Sequence, residues 1–502
     1  MNKYIVTFLI VLTSLLTACG YRDYRYRNFS GISGQAVSGG GTKMTRPSAS
    51  PSSDNGAAVV SGNGIHTASH VTAQMQTAEF WIGKTVSPDR VLMSQKDIRK
   101  LNNKMNETLP GNPEAVYHDL SKYGEYIDGT ALYDQISRQG KFEGSYYLGE
   151  SEVTGAQWDS YRALCNLDAI VDSNKIRYGI VCSRADVRSL PVMDNITDTK
   201  GDTGHDILQN TALAVNEPVL ILHASSDGKW FYVVANEYAG WTLQDCVGLC
   251  QNREMWTAAQ KMEDFIVVTG DEISLSVSSA DHGIRSSVYT MGTKLAIARE
   301  SEYDAAMKQK NIFDNYVVRI PVRDEEGSLA YQTALIPLGR DVSHGYLDYT
   351  RGNVIRQAFK LLGNPYGWGG MAGGRDCSSM TRDIYLCFGF RLPRDASSQA
   401  LIPAKGCVKL DGLAEKEKKN KLNSIQPGTI LQMPEHVMIY LGCQDQRYYV
   451  ISANGTFIPA GEEKQANTNY QTRLVTVNDL QVKSPSNSKT WREQIRTIVG
   501  IP

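Results

Sequence analysis

The period of the apolar positions changes several times along the 502 residues, and each change marks a boundary. One charged residue, Lys3, precedes an apolar run from Tyr4 to Leu16, which closes on Leu16-Thr17-Ala18-Cys19-Gly20. A charged start, an apolar middle and a small-residue end describe a secretory leader too short for a membrane span. Residues 20–77 have no apolar periodicity and are rich in Gly, Ser, Arg, Tyr and Pro, which predicts a disordered tether with His66 and His70 solvated. Residues 78–199 return to helical spacing. Ser94 stands before a polar helix start, Ile98, Leu101 and Met105 share a face, Val116, Leu120 and Tyr123 continue the pattern, and Trp158, Tyr161 and Leu164 predict a further helix. From Lys175 to Pro191 the pattern alternates, so strands begin there.

Residues 200–275 read as short strands joined by turns at Ser225-Ser226-Asp227-Gly228 and Tyr238-Ala239-Gly240, and residues 276–340 as a second β-rich run. Short alternating strands at close intervals predict two small barrels. Residues 341–502 differ. Asn353 can cap a helix with Val354, Ile355, Ala358, Phe359 and Leu362 on one side, ended by Gly363. A loop with five glycines between Gly367 and Gly374 then leads to Cys377, and Met380, Ile384, Tyr385 and Phe388 follow at helical spacing. Past Pro427-Gly428 the chain alternates again. Helices followed by an antiparallel sheet make an α+β pattern.

Lys plus Arg total 52 against 53 Asp plus Glu, so no basic field exists and nucleic acid is excluded as a partner. The nine cysteines include no CxxC pair, and Cys246 and Cys250 lack a second pair at zinc spacing, so no metal or organic cofactor is implied. Cys165, Cys182, Cys387, Cys407 and Cys443 read as small buried hydrophobes. Cys377 reads differently, because a helix N-terminus offers unpaired N–H groups and partial positive charge that favour thiolate over thiol. Arg375 and Asp376 beside it would be costly to bury for packing alone. A cysteine nucleophile needs a base, and the base needs an orienting group. His436 is the one histidine downstream, and it opens a strand on which Met438 and Tyr440 share its face. On the following strand Ser452 and Asn454 share a face, and either of them, or a group elsewhere in the chain, orients His436.

Three stretches carry resemblances. Cys19 after Leu-Thr-Ala resembles the lipobox of bacterial lipoproteins, which implies lipidation of Cys19 and a membrane anchor. Gly20 stands where an aspartate marks inner-membrane retention, so the expected place is the outer membrane, facing the periplasm. Val219-Leu220, Asp227-Gly228-x-Trp230-x-x-Val233 and Gly240-Trp241 with Val247 resemble bacterial SH3-like domains, and residues 276–340 resemble a more divergent second one. Tyr366-x-x-Gly369-Gly370, Asp376-Cys377-Ser378-Ser379, Leu392-Pro393-Arg394, Pro427-Gly428-Thr429 and His436-Val437-x-Ile439-Tyr440-Leu441-Gly442 resemble the NlpC-type, papain-like cysteine peptidases of bacterial cell walls.

The resemblance implies a multidomain fold class: an N-terminal helical region, two small SH3-like β-barrels and a C-terminal α+β papain-like domain. The boundaries expected are 1–19 for the leader, 20–77, 78–199, 200–275, 276–340 and 341–502. The arrangement is similar to the multidomain subgroup that cleaves γ-D-glutamyl–diamino acid bonds in peptidoglycan stem peptides, the implied partner. In that reading Cys377 attacks the carbonyl, His436 moves the proton, and the Tyr366 hydroxyl and Cys377 N–H hold the oxyanion. Asp376 and Ser378 contact substrate, Asp376 pairing with a free L-alanine amine, and Tyr238 or Tyr232 of the first barrel narrows that pocket. The sequence departs from the family at Ser452, where a second histidine is usual. The alternatives are a non-catalytic wall-binding lipoprotein that uses its barrels as adhesive modules, and an acyltransferase that passes the thioester to another amine or lipid.

Overall fold

The computed structural model describes residues 59–60, 66–279, 283–465 and 470–501. The leader, Cys19 and most of the expected tether lie outside the described residues.

Residues 66–77 are packed, against the expectation of a disordered tether. His66–Thr67 pairs with Val59–Val60, and Val71 and Met75 are buried. Trp81 is fully buried, donates its indole N–H to the Met75 carbonyl at 2.9 Å and lies 5.3 Å from the Tyr449 ring. These apolar residues are too few and too unevenly spaced to register as a helix, yet they fill one groove of the core. His70 bonds through Nδ1 to the buried carboxylate of Asp479 at 2.8 Å, so it is not idle.

Ser94 caps the helix Gln95–Thr108, its hydroxyl accepting from the Asp97 N–H at 3.2 Å. Ile98, Leu101 and Met105 are buried, but not within a separate helical domain. One amphipathic helix cannot bury its own stripe. These side chains join the core of the C-terminal domain, with Val354, Ile355, Met380, Ile384 and Tyr449. The Asn102 amide donates to the Gly389 carbonyl at 2.8 Å and fixes the docking. The helices Gly129–Gln139 and Gly155–Ala163 go elsewhere: Leu132, Ile136, Trp158 and Tyr161 pack on Tyr178, Leu220, Tyr232 and Trp241 of the first barrel. The region expected as one unit at 78–199 is thus shared between two neighbours.

The first barrel contains seven antiparallel strands in the order Gln209–Leu213, Ala185–Arg188, Ala239–Leu243, Trp230–Val234, Pro218–Ala224, Arg177–Val181, Val247–Cys250. It starts at Arg177, earlier than the expected 200, because two of its strands precede the turn-rich stretch. Trp230–Val234 is buried throughout, with Trp230, Tyr232 and Val234 facing the helices and Phe231 and Val233 facing the barrel interior. The second expected barrel, from Phe265–Val268 to Val342–His344, is built from a three-stranded sheet and two two-stranded hairpins packed around Ile266, Ile273, Leu295, Val318 and Ile336.

In the C-terminal domain Thr350, not Asn353, caps the helix Arg351–Phe359, accepting from the Asn353 N–H at 3.0 Å. The helix Cys377–Leu386 buries Met380, Ile384 and Tyr385. It packs on the strands His436–Gln444 and Arg447–Thr456 of a six-stranded sheet, ordered Val408–Lys409, Thr497–Val499, Ile430–Met433, His436–Gln444, Arg447–Thr456, Gln471–Asp479. Ion pairs tie this helix to both barrels. Arg382 meets Glu217 at 2.7 Å and Glu237 at 2.6 Å, and Arg375 meets Asp383 at 2.8 Å and Asp271 of the second barrel.

Candidate active site

Asp376 is the N-cap of the helix that carries Cys377. Its carboxylate accepts the Ser379 N–H at 2.9 Å, and the Ser379 hydroxyl accepts the Asp376 N–H at 2.9 Å. Arg394 clamps the same carboxylate with both terminal nitrogens, Nη1 at 3.0 Å, and Gly369 N–H adds a bond at 3.1 Å. Burial alone would raise this carboxyl, but Arg394 and Ser379 together hold it below the usual range. Ser378 lies buried behind it, its hydroxyl 2.9 Å from Arg394 Nη1. Asp376 and Ser378 therefore do not reach the cleft, and the expected contact between Asp376 and a substrate amine is not available. The carboxylate is spent on its cap and its arginine.

Cys377 is the first residue of the helix and lines a cleft of about 950 Å³, together with Tyr366, Trp368, His436, Asn454 and Trp491. The residues flanking His436 hold the sulfur, the thiol pointing to the Glu435 carbonyl at 3.9 Å and the Val437 N–H supporting it. Burial pushes this thiol up to about 12, and the Asp376 charge adds to it. Burial also lowers His436, to about 4, with Asp376 weakly opposing. Desolvation thus opposes the thiolate that the helix end favours, and opposes protonation of the imidazole.

The His436 ring rests on Trp491 with centroids 4.8 Å apart, and its Nε2 lies 3.1 Å from the Ser452 hydroxyl. The Ser452 hydroxyl donates to Asn454 Oδ1 at 2.9 Å, and the Asn454 amide donates to the Ser452 carbonyl at 3.0 Å and to the Thr476 hydroxyl. This chain sets the tautomer. With its own proton given to Asn454, Ser452 can only accept, so Nε2 carries the imidazole proton and Nδ1 keeps its lone pair. Ser452 and Asn454, read from the sequence as alternatives, lie in series along one hydrogen-bond chain. Tyr366 sits on the cleft wall, its N–H bonded to the Arg473 carbonyl at 2.9 Å, and burial followed by the charges of Cys377 and Asp376 keeps its hydroxyl protonated.

Tyr232 is a core residue of the first barrel. Tyr238 is partly buried and feels Asp395, Arg394 and Asp376, but it does not line the cleft. The wall that the barrel side does contribute is the loop with Asp198, Asp202, Gly204 and His205, where His205 meets Trp368 edge-on at 4.3 Å. Sequence reasoning passed over this loop, and over Arg473 and Trp491. The only signal was a run rich in Asp, Gly and Thr at 197–206, which reads as an ordinary turn.

Residues 363–493 match the NlpC/P60 family. The C-terminal domain belongs to that family. The chain therefore carries a cysteine peptidase domain of the cell-wall endopeptidase kind, and Cys377 and His436 both fall inside the matched segment. Upstream, residues 191–242 match the SH3 domain of SH3b1 type, within the first barrel. Among solved structures, an NlpC/P60 endopeptidase from Photobacterium damselae subsp. piscicida is 19% identical, with a TM-score of 0.61 over 79% of this chain and 89% of that one. This likeness shows that the NlpC/P60 domain and the elements before it share one overall fold with that protein. An NlpC/P60 family protein from Bacillus cereus ATCC 10987 is 18% identical, with a TM-score of 0.41 over 64% of this chain and 98% of that one. No curated protein matches the chain.

Proposed function

We propose that the chain hydrolyses the γ-D-glutamyl–diamino acid bond of peptidoglycan stem peptides that begin with a free L-alanine, acting as a lipoprotein held through Cys19 at the outer membrane and facing the periplasm. The observation that carries the reading is the His436–Ser452–Asn454 chain beside a thiol on the cleft wall. His436 Nδ1 takes the thiol proton as the sulfur attacks the glutamyl carbonyl. The Tyr366 hydroxyl and the Cys377 N–H donate to the oxyanion. Collapse gives a thioester, the C–N bond breaks, and the imidazolium returns the proton to the leaving amine. Water, deprotonated by the same nitrogen, then releases the acid. With Asp376 clamped by Arg394 and Asp202 by Arg473, a free amine is left to the other carboxylates that line the cleft, Asp198 and Glu435.

The test is mass analysis of L-Ala-γ-D-Glu–diamino acid peptides incubated with wild type and Cys377→Ala. Wild type should release the dipeptide and the variant should not. Wild type that binds wall fragments without cutting any peptide would leave the adhesive reading, and acyl products that appear only with added amines would leave the transferase. For the anchor, Cys19→Ala should move the protein from the membrane to the soluble fraction, and its retention in the membrane would refute lipidation at that residue.

A further inference from the structure

The cleft contains one guanidinium and no ammonium among its described lining residues, and the chain takes unusual measures to place it. That group belongs to Arg473. Its strand, Gln471–Asp479, pairs with Arg447–Thr456, and the register slips between Asn454↔Leu474 and Thr456↔Gln471. Two residues, Thr472 and Arg473, thus stand opposite Gly455, which makes a bulge. Bulges re-aim side chains and are common beside active sites. Arg473 also has φ +47°, a left-handed conformation that a non-glycine residue enters at some cost. The same residue gives its carbonyl to the Tyr366 N–H, so the bulge sits directly against the oxyanion side of the site.

The side chain is held from the opposite wall. Nη2 lies 2.6 Å from Asp202 Oδ1, and that oxygen is itself fixed by the N–H groups of Thr203 at 2.7 Å and Gly204 at 3.0 Å. The guanidinium packs against Gly204, where a Cβ would fall 1.8 Å from Nη1 and the arginine would have to shift. Despite this clamp the Arg473 side chain is 31% exposed. The ion pair uses part of a fork with five N–H donors, and the side chain lines the cleft.

We propose that Arg473 is a specificity-determining residue that pairs with a substrate carboxylate next to the scissile bond. This rests on the reading above, in which the bond cut is a γ-glutamyl amide. A γ-link leaves the glutamyl α-carboxylate free, and the diamino acid on the other side carries a carboxylate too. A guanidinium matches either one through paired N–H···O bonds.

The test measures binding calorimetrically to Cys377→Ala and to Cys377→Ala/Arg473→Met, with Arg473→Lys as a second variant that keeps the charge. The probes are L-Ala-γ-D-Glu–diamino acid, the same peptide amidated at the glutamyl α-carboxyl, and the same peptide amidated at the diamino acid carboxyl. Arg473→Met should weaken the acid peptide roughly 10–100-fold, the range for hydrogen bonds to charged groups. One of the two amidations should cause the same loss by itself and show no further loss with Arg473→Met, and that probe identifies the carboxylate. Arg473→Lys should recover part of the affinity. Equal weakening of all three peptides, or of none, overturns the proposal and leaves Arg473 as a latch for the Asp202 loop. Arg473-dependent binding without turnover by wild type would refute the hydrolysis and keep the proposal. Equal hydrolysis of acid and amide peptides by wild type would do the reverse.

Discussion

Ser452→Ala tests whether the imidazole is oriented by a relay of neutral groups. In the wild-type site His436 Nε2 has its partner at 3.1 Å and Ser452 has Asn454 at 2.9 Å. The substitution deletes both bonds and leaves Asn454 Oδ1, in a buried setting, without its donor. Neutral hydrogen bonds contribute roughly 0.5–1.5 kcal/mol each, and an orphaned buried acceptor costs roughly 1–3 kcal/mol. Global stability should therefore fall by about 2 kcal/mol. The catalytic effect is separate. Without an acceptor at Nε2 the ring can place its proton on Nδ1, which removes the base, so kcat should drop by about 10–100-fold, as for a lost bond worth roughly 1.5–3 kcal/mol in the transition state. KM should hold, because Ser452 does not line the cleft. Steady-state hydrolysis of a stem peptide, well below the variant's melting temperature, gives both constants. Unchanged kcat, or a loss confined to KM, would refute the assignment of the tautomer to this chain.

Other outcomes follow from the same structure. Alkylation of Cys377 should accelerate with pH through the alkaline range, since burial pushes its thiol up to about 12, and a rate plateau reached below neutral pH would show a standing thiolate–imidazolium pair instead. The His436 value, lowered by burial from 6.5 to about 4, means the native state keeps the ring neutral while the unfolded chain protonates it. That contribution is intact above about 6.5 and is lost as pH falls toward 4, roughly 3–4 kcal/mol in all at ~1.4 kcal/mol per unit. His436→Gln should flatten urea-denaturation stability over this window, and an unchanged slope would count against the shift. Arg382→Met strands Glu217 and Glu237 and should cost about 3 kcal/mol by chemical denaturation, with under 1 kcal/mol lost refuting a structural role for the pair. Trp81→Ala should cost about 3–5 kcal/mol and expose residues 66–77 to protease, whereas a wild-type cleavage pattern would return that segment to the tether.

The residues legible in the sequence were those whose chemistry is local. Cys377 announces itself through the glycines before it and the helical spacing after it, and His436 through a strand that places it beside that helix. What the sequence hid was made by distance. Asp376 sits next to the nucleophile, but the arginine that occupies it is eighteen positions on and meets it only after both are buried. Tyr238 had the right residue type and the right barrel, yet the cleft wall came from the loop before the barrel's later strands, where no aromatic or apolar pattern marks it. The helical stripe of Ile98, Leu101 and Met105 was correctly read as amphipathic, but periodicity says that a face is covered and not by what.

The core that carries the catalytic helix is sewn from both ends of the described chain. Val71, Trp81 and Met105 lie in the same cluster as Ile384, Tyr449 and Val499, and the two barrels occupy the stretch between. Such an insertion is joined to the body by two chain crossings and by the ion pairs of Arg382 and Arg375. A fragment cut near residue 341 would lose Val71, Met75, Trp81, Ile98, Leu101 and Met105 from its own interior, and would stand with a bare groove where Trp81 belongs.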